Sequence, residues 1–448
     1  MHAPALAAHR FGYAEPTLDP LRHDPRAWVL AQFADGSGAA RRQAFDATGL
    51  ASGQEALRIT RDALRAALRP QDGDDGSRRE ARLALRRINR DGLLRRWQHI
   101  VGTPAPVAER WVQFWANHFC VAATKGSVLG LVWPHENEAI RPHAQGRFAD
   151  LLRASTLHPA MLLYLDNAQS VGPDSRAGQR RRRGLNENLA RELLELHTLG
   201  VDGGYTQADV TETARLLTGW SVRYGGDGTP GFVPALHEPG SKTILGRRYA
   251  EGPQALDELL DELARHPATA RHLATKLVRH FVTDEPPAAL VEAVAAAYRA
   301  SDGELRVVAR ALFEHELSWR AEHPPKFKRP EELMLSAHRL LNSPVTANAL
   351  EPSARALQAM GQNPGRAPSP QGWPDRSEDW LAPDALFKRV RWAEAFASAH
   401  AGQTDARALA LAALGEDLGP ATRQQIERAE SGAQALALLL ASPEFQRR

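Results

Sequence analysis

The 448 residues are 43% hydrophobic and 24% charged, with 34 glycines and 30 prolines spread along the chain, which excludes fibrous and low-complexity classes and predicts a folded globular protein. The formal net charge of +3 is carried almost wholly by arginine, since lysine occurs only at 125, 242, 276, 326, 328 and 388, and so small an excess argues against a nucleic-acid partner. A single cysteine, Cys120, excludes an internal disulfide and a cysteine-based zinc site.

From the N-terminus, "MHAPALAAHRFGYAEP" lacks the basic start and the apolar run of a signal peptide, and no stretch of about 18 apolar residues follows to span a bilayer. The sequence as written therefore predicts a cytoplasmic protein, with periplasmic export beside a partner or after leader removal as the alternative. Apolar residues then recur three and four apart with almost no strand-like alternation, so the predicted class is all-α. Helices are expected over 25–34, 53–68, 77–98, 106–119, 136–154, 158–165, 187–199 and 207–218. Further helices are expected over 253–265, 267–281, 287–300, 304–315, 329–341, 350–360, 383–399, 405–413 and 420–440. Pro and Gly mark the breaks at 70–73, 172–173, 225–228, 286–287, 324–325 and 364–374.

Along that order, Trp111, Phe114, Trp115 and His118 stand at i, i+3, i+4 and i+7, which puts His118 on an aromatic helix face, and Cys120 just beyond reads as a small core residue. Arg180 to Arg183 form a basic run read as a solvated loop, with an anion contact as the alternative. Residues 221–250 hold too much Gly and Pro for a helix and read as an ordered loop or one short β-hairpin, with strands near Phe232–Val233 and Thr243–Leu245; His237 and Lys242 lie on it. A boundary near Pro324–Pro325 divides a main helical domain, 1–324, from a C-terminal helical section, 325–448, packed on it or continuous with it.

The densest polar pattern is "NENLARELLELHTLG", 186–200. At 100° per residue Asn188, Arg191, Glu192 and Glu195 share one flank, while the leucines, Ala190 and His197 take the other. Asn186 suits the N-cap and Gly200 the stop, and Thr206 with Asp209 has capping-box spacing for the next helix. One reading of that flank is a wet face with Glu187, Arg191 and Glu195 paired at four-residue spacing. The other is a carboxylate site for general acid/base chemistry. A metal at Glu192, Glu195 and His197 is a minority reading, because neither an H-E-x-x-H string nor paired E-x-x-H repeats are present.

On residues 186–220, "NENLARELLELHTLGVDGGYTQADVTETARLLTGW", the sequence resembles a bacterial family catalogued as domain of unknown function 1800. The likeness extends to "HRFGYAEP" (9–16), "ERWVQFWANHF" (109–119), 140–167, "HEPGSKTILG" (237–246), "KLVRHFV" (276–282), "PKFKRPEELMLSAHRLL" (325–341) and "QGWPDRSEDWL" (371–381). The resemblance implies a largely helical fold and no established reaction. It also implies association with a second family that is similar to sulfatases and alkaline phosphatases, some members of both families carrying export signals that this sequence lacks. Polar positions matching the family pattern are Asn117, His118, Asn186, Asn188, Arg191, Glu192, Glu195, His197, His237, Lys242 and Lys276.

Two main functions follow, with a metal-dependent enzyme as a weaker third. The favoured one is a hydrolase acting on a polar substrate such as a glycan, with Glu192, Glu195, His118 and His237 catalytic and Asn117, Asn186, Asn188, Arg191, Lys242, Lys276, Trp220 and Trp373 binding. Glu192 and Glu195 lie one turn apart, so a second carboxylate from Asp166, Glu212 or Asp375 is expected. No cofactor is predicted, a divalent metal being the alternative. The competing function is a non-catalytic helical partner of the sulfatase- or phosphatase-like companion, its polar groups serving as an internal hydrogen-bond network.

Overall fold

Proline starts many of the helices and so sets their order: it occupies the first helical position at 106, 267, 330, 383 and 420, where its missing N–H costs nothing. The computed structural model describes residues 1–34, 44–68, 75–180, 184–222, 229–400, 402 and 405–448. Its longer helices in the first half are α1 (Gly53–Leu68), α2 (Asp75–Gly102), α3 (Pro106–His118), α4 (Phe148–Leu157), the short α5 (Asn188–Glu192), α6 (Gln207–Leu217), α7 (Gln254–Arg265) and α8 (Pro267–Phe281). They continue as α9 (Ala288–Ala300), α10 (Leu305–Glu314), α11 (Pro330–Leu340), α12 (Ala347–Ala359), α13 (Pro383–Ala399), α14 (Ala406–Leu414), α15 (Pro420–Glu427) and α16 (Gly432–Ala441). The protein is all-α, and among the described residues no helix is long and apolar enough to cross a membrane.

Two expected helices are divided. The span 136–154 is a π-helical turn, Glu136–Ile140, then a turn, then α4; the span 420–440 breaks between α15 and α16, where Ser431 caps α16 by accepting the amide of Gln434 at 3.1 Å. The 221–250 segment forms two hairpins instead of one: β1 (Trp220–Val222) pairs with β2 (Pro230–Phe232), and β3 (Lys242–Ile244) with β4 (Arg247–Tyr249), all antiparallel. The breaks expected at 70–73 and 225–228, apart from their flanks, and Arg181 to Arg183 of the basic run lie outside the described residues.

Apolar side chains from residues 5 to 367 form the larger core, centred on the aromatic face of α3, where Trp111 stands edge-on to Trp115 at 5.9 Å and stacks on Phe281 at 5.8 Å. A smaller core gathers α13, α14 and α16. Helix α11 joins the two: Met334 and Leu335 enter the first core, Leu333, Ala337 and Leu340 the second.

Among the described residues three segments are wound as π-helix, Leu6–Phe11, Glu136–Ile140 and Leu193–Leu199. Each carries a buried ionisable side chain: His9 and Arg10, Glu136, and His197. Such turns are rare and concentrate at functional sites, which directs attention to what they surround.

Candidate functional site

Helix α5 opens with the side chain of Asn186 accepting the amide of Asn188 at 2.9 Å, while Glu187 takes the cap position itself. After Glu192 the backbone widens into the π turn, and Thr198 Oγ1 donates to the carbonyl of Leu193, five residues back, at 2.7 Å. The 100° wheel therefore stops describing side-chain directions at Glu192. Arg191 pairs with Glu187 at 3.3 Å as expected, but it donates to Gln207 at 2.9 Å instead of meeting Glu195. Glu195 accepts the Tyr205 hydroxyl at 3.1 Å. Glu187 also accepts from Thr211 at 2.7 Å and Gln207 at 2.8 Å, so this face fastens α5 to α6, which is closed by the Thr206–Asp209 capping box. Glu192 is half-buried and makes no hydrogen bond or ion pair among the described residues. Burial, and then the adjacent Glu195, raise its pKa, with Arg191 opposing.

The histidines of the family pattern collect elsewhere. His118 stacks on Phe114 with centroids 6.2 Å apart, and its Nε2 donates to the carbonyl of His197 at 3.2 Å. His272 on α8 donates to the carbonyl of Leu196 at 3.2 Å, so two imidazoles satisfy the open carbonyl end of the hallmark helix. The ring of His197 lies 6.1 Å from that of His118, and neither of its nitrogens finds a partner among the described residues. Half-buried Lys276, one turn after His272, makes no ion pair among the described residues. Burial, reinforced by Lys276, holds His118 well below its ordinary value and takes His197 to about 3 and His272 to about 4; burial takes Lys276 itself to about 8, with Asp375 opposing.

His237 and Lys242 make a third group. His237 Nδ1 donates to the carbonyl of Thr218 at 2.7 Å, its Nε2 accepts from Lys242 Nζ at 3.2 Å, and Lys242 also donates to the carbonyls of Glu238 and Gly240. Together they hold the two hairpins against the end of α6, where half-buried Trp220 meets Phe232 edge-on at 5.6 Å. Of the other carboxylates considered, Asp166 pairs with Lys125 at 2.6 Å, Glu212 with Arg215 at 2.6 Å and Asp375 with His280 at 2.7 Å. No hydrogen bond or ion pair joins Glu192 to His118, His237, Lys242 or Lys276 among the described residues. Nor is any group of three or more His, Cys, Asp or Glu side chains among them placed to hold a metal ion, Glu192, Glu195 and His197 included.

Asn117 and Trp373 lead to a partly open polar space. The carboxamide of Asn117 grips residue 373 from both sides, Nδ2 donating to its carbonyl at 2.9 Å and Oδ1 accepting its amide at 2.8 Å. The two residues border a cavity of about 80 Å³ between α2, α3, α11 and the 362–373 loop, lined also by Cys120 and by charged and amide groups that the sequence reading did not select. Arg96 spans it: Nε donates to Glu136 at 3.0 Å and Nη1 to Glu331 at 2.7 Å, while Nη2 meets Gln113. Burial opposes charge on Arg96, but Glu331 and Glu136 outweigh it and keep the guanidinium protonated. Glu331 further accepts from Trp97 Nε1 at 2.8 Å, and Glu136 accepts from Arg141 at 2.8 Å. Its position at the head of a π turn connects that rare backbone to the cavity wall.

Trp133 closes the far side, the Arg96 guanidinium 5.6 Å from its ring centroid. It is seated between two glycines. A Cβ on Gly92, in the middle of α2, would lie 2.6 Å from the indole, and one on Gly365, at φ +68°, would lie 3.2 Å from its other edge. A mid-helix glycine costs about 1 kcal/mol against alanine, and here close approach of the indole requires it. The signal was legible: a lone glycine inside an arginine-rich helix pattern points to packing.

Residues 6–447 match the model of a family described as protein of unknown function (DUF1800). No curated protein and no solved structure matches the chain.

Proposed function

The chain belongs to the DUF1800 family, and we propose that it is a hydrolase that removes a small group from a larger polar molecule such as a glycan, in the cavity spanned by Arg96. One observation carries this reading: two carboxylates, Glu136 and Glu331, are held on a single guanidinium inside a space that Asn117, Gln113 and two indoles also line. At about 80 Å³ the space is roughly half the ~150 Å³ that accommodates a benzene ring, so it suits a pendant acyl or similar substituent and not a whole sugar. Glu331, the more exposed of the two carboxylates, takes a proton from water as the water attacks. It then returns that proton to the leaving oxygen as the bond to the substituent breaks. Arg96 and Arg329 lie where they can stabilise the negative charge that builds on the attacked group.

Release of acetate from O-acetylated oligosaccharides tests the reading, with Glu331→Gln, Glu136→Gln, Glu192→Gln and Glu195→Gln compared at matched melting temperature. The cavity variants are expected to lose about 10²–10⁴-fold in turnover, the range for a general base, while the hairpin variants stay within a few-fold of the parent. Loss confined to Glu192→Gln would move the chemistry to the hairpin, and a parent that releases nothing from the panel removes the reading.

A second reading, a helical partner for a sulfatase- or phosphatase-like protein, has its own support. Leu386, Phe387 and Val390 present an apolar stripe on α13, Phe387 being 63% exposed. An exported companion would then carry the chain to the periplasm. Co-purification of such a protein that is lost with Phe387→Ser supports this reading.

A further inference from the structure

Beside the cavity, on the other side of Trp133, runs a groove of about 820 Å³ between α2 and α12. Val132, Trp133, Pro364 and Gly365 belong to both spaces, so the indole and its glycine seat form the partition between them. The groove lies within the ~300–1,000 Å³ range of ligand sites, whereas the cavity alone is too small to hold a substrate.

Its charge is one-sided. Arg86 and Arg87 stand side by side on α2 with Arg90 one turn on, Arg366 faces them from the loop, and Glu351 on α12 is the carboxylate in the lining. Arg90 is held by its neighbour Asp91 at 2.8 Å. Arg86, Arg87 and Arg366 are exposed and make no ion pair or side-chain hydrogen bond among the described residues. Guanidinium groups on an ordinary convex surface are screened and solvated, but in a cleft with apolar walls, here Leu93, Leu129 and Leu350, their fields focus on what enters. The planar fork of arginine matches two oxygens of one oxyanion at once, so the complement is an oxyanion, such as a carboxylate or sulfate group.

We propose that the groove binds the acidic body of the substrate, an oligosaccharide bearing carboxylate or sulfate groups, whose small pendant group passes Trp133 into the cavity. The substrate class rests on the reading of the cavity as the reaction site; the anion site itself does not.

Calorimetric binding of four probes to the full chain tests this: an oligogalacturonate hexamer, a chondroitin sulfate hexasaccharide, uncharged cellohexaose and a single-stranded DNA hexamer. One or both acidic saccharides should bind at least tenfold more tightly than cellohexaose, and the preference between them identifies carboxylate or sulfate as the group read. Affinity should fall at least fivefold between 50 and 250 mM salt, the mark of charge-driven association. Arg86→Gln/Arg87→Gln/Arg366→Gln should lose at least tenfold for the acidic probes at an unchanged melting temperature, all three side chains being on the surface. Equal affinity for acidic and neutral saccharides, parental binding by the triple variant, or tighter binding of the DNA hexamer overturns the proposal. The two readings fail separately: acetate release that survives Glu331→Gln removes the cavity as the reaction site, whereas absence of any acidic preference removes the groove.

Discussion

The carboxamide of Asn117 satisfies both the N–H and the C=O of residue 373, so one side chain replaces a strand partner for a loop that has none. Asn117→Ala would leave two backbone groups in a part-buried place without partners, at about 1–3 kcal/mol each at most. The expected loss is about 2 kcal/mol in urea unfolding, together with a weaker hold on Trp373 at the cavity edge. Asn117→Asp keeps the acceptor and should recover part of it; a loss below about 0.5 kcal/mol for the alanine variant would mean that the loop is held by something else. Trp133 offers a second test at this scale. Gly92→Ala drives a methyl into its ring, so although alanine favours the helix by about 1 kcal/mol, the variant should be destabilised by about 1–3 kcal/mol and the indole emission should shift as its packing changes. A variant more stable than the parent would show that the indole is free to move.

The elements that carry the family pattern meet at the end of the π turn, where His118, His197 and His272 converge from α3, the hallmark helix and α8. The three are held neutral, so their charge linkage has a definite sign. Above about pH 6.5 the imidazoles are neutral both folded and unfolded, and stability is at its full value. Below it the unfolded chain takes up protons that the folded chain refuses until about pH 4 for His272 and about 3 for His197. Stability should therefore fall as pH drops from about 6.5 toward 4, by about 1.4 kcal/mol per pH unit for each such histidine. Urea unfolding at pH 7, 6 and 5 measures the slope, and His197→Gln should make it shallower by about one proton. An unchanged slope in that variant, or the His197 or His272 imidazole of the parent titrating near 6.5 by NMR, contradicts the assignment. This convergence shows what periodicity could and could not convey. The i, i+3, i+4, i+7 spacing located His118 on a buried aromatic face, because a 3.6-residue repeat is a property of the helix alone. That His118 bonds a carbonyl 79 residues away is a property of packing and leaves no local trace. The π turn misled more directly: a wheel drawn at 100° per residue pairs Arg191 with Glu195, and the wider turn separates them.

Across the whole molecule the two cores are joined by charges that look, in sequence, like ordinary surface residues. Glu332 is buried and meets Arg110 of α3 at 3.3 Å, Arg329 at 3.0 Å and Arg448 at 3.2 Å, while the Lys328 ammonium lies 4.1 Å from the ring centroid of Phe445. Burial alone would raise the pKa of Glu332, but Arg448, Arg110 and Arg329 outweigh it and hold the carboxylate ionised. "KFKRPEE" read from sequence is a basic stretch entering a helix, and nothing local says that its carboxylates turn inward. Glu331 was missed as a cavity residue for the same reason. Because these pairs span residues 110 to 448, they connect the helices on both sides of α11, and their removal should be felt by the molecule as a unit. Glu332→Gln deletes the one carboxylate that the three guanidinium groups share and leaves buried cations uncompensated, which costs about 3–5 kcal/mol. Unfolding should stay a single transition, shifted, since both cores lose the same anchor. A polar network of this kind is often no better than packed apolar groups, but only when the whole group is replaced, so Arg110→Met/Glu332→Leu, which still leaves Arg329 and Arg448 uncompensated, should recover only the Arg110 part of the loss. If Glu332→Gln unfolds in two separate steps instead, with the α13–α16 core melting first, the charges fasten one unit onto another and do not form part of a common interior.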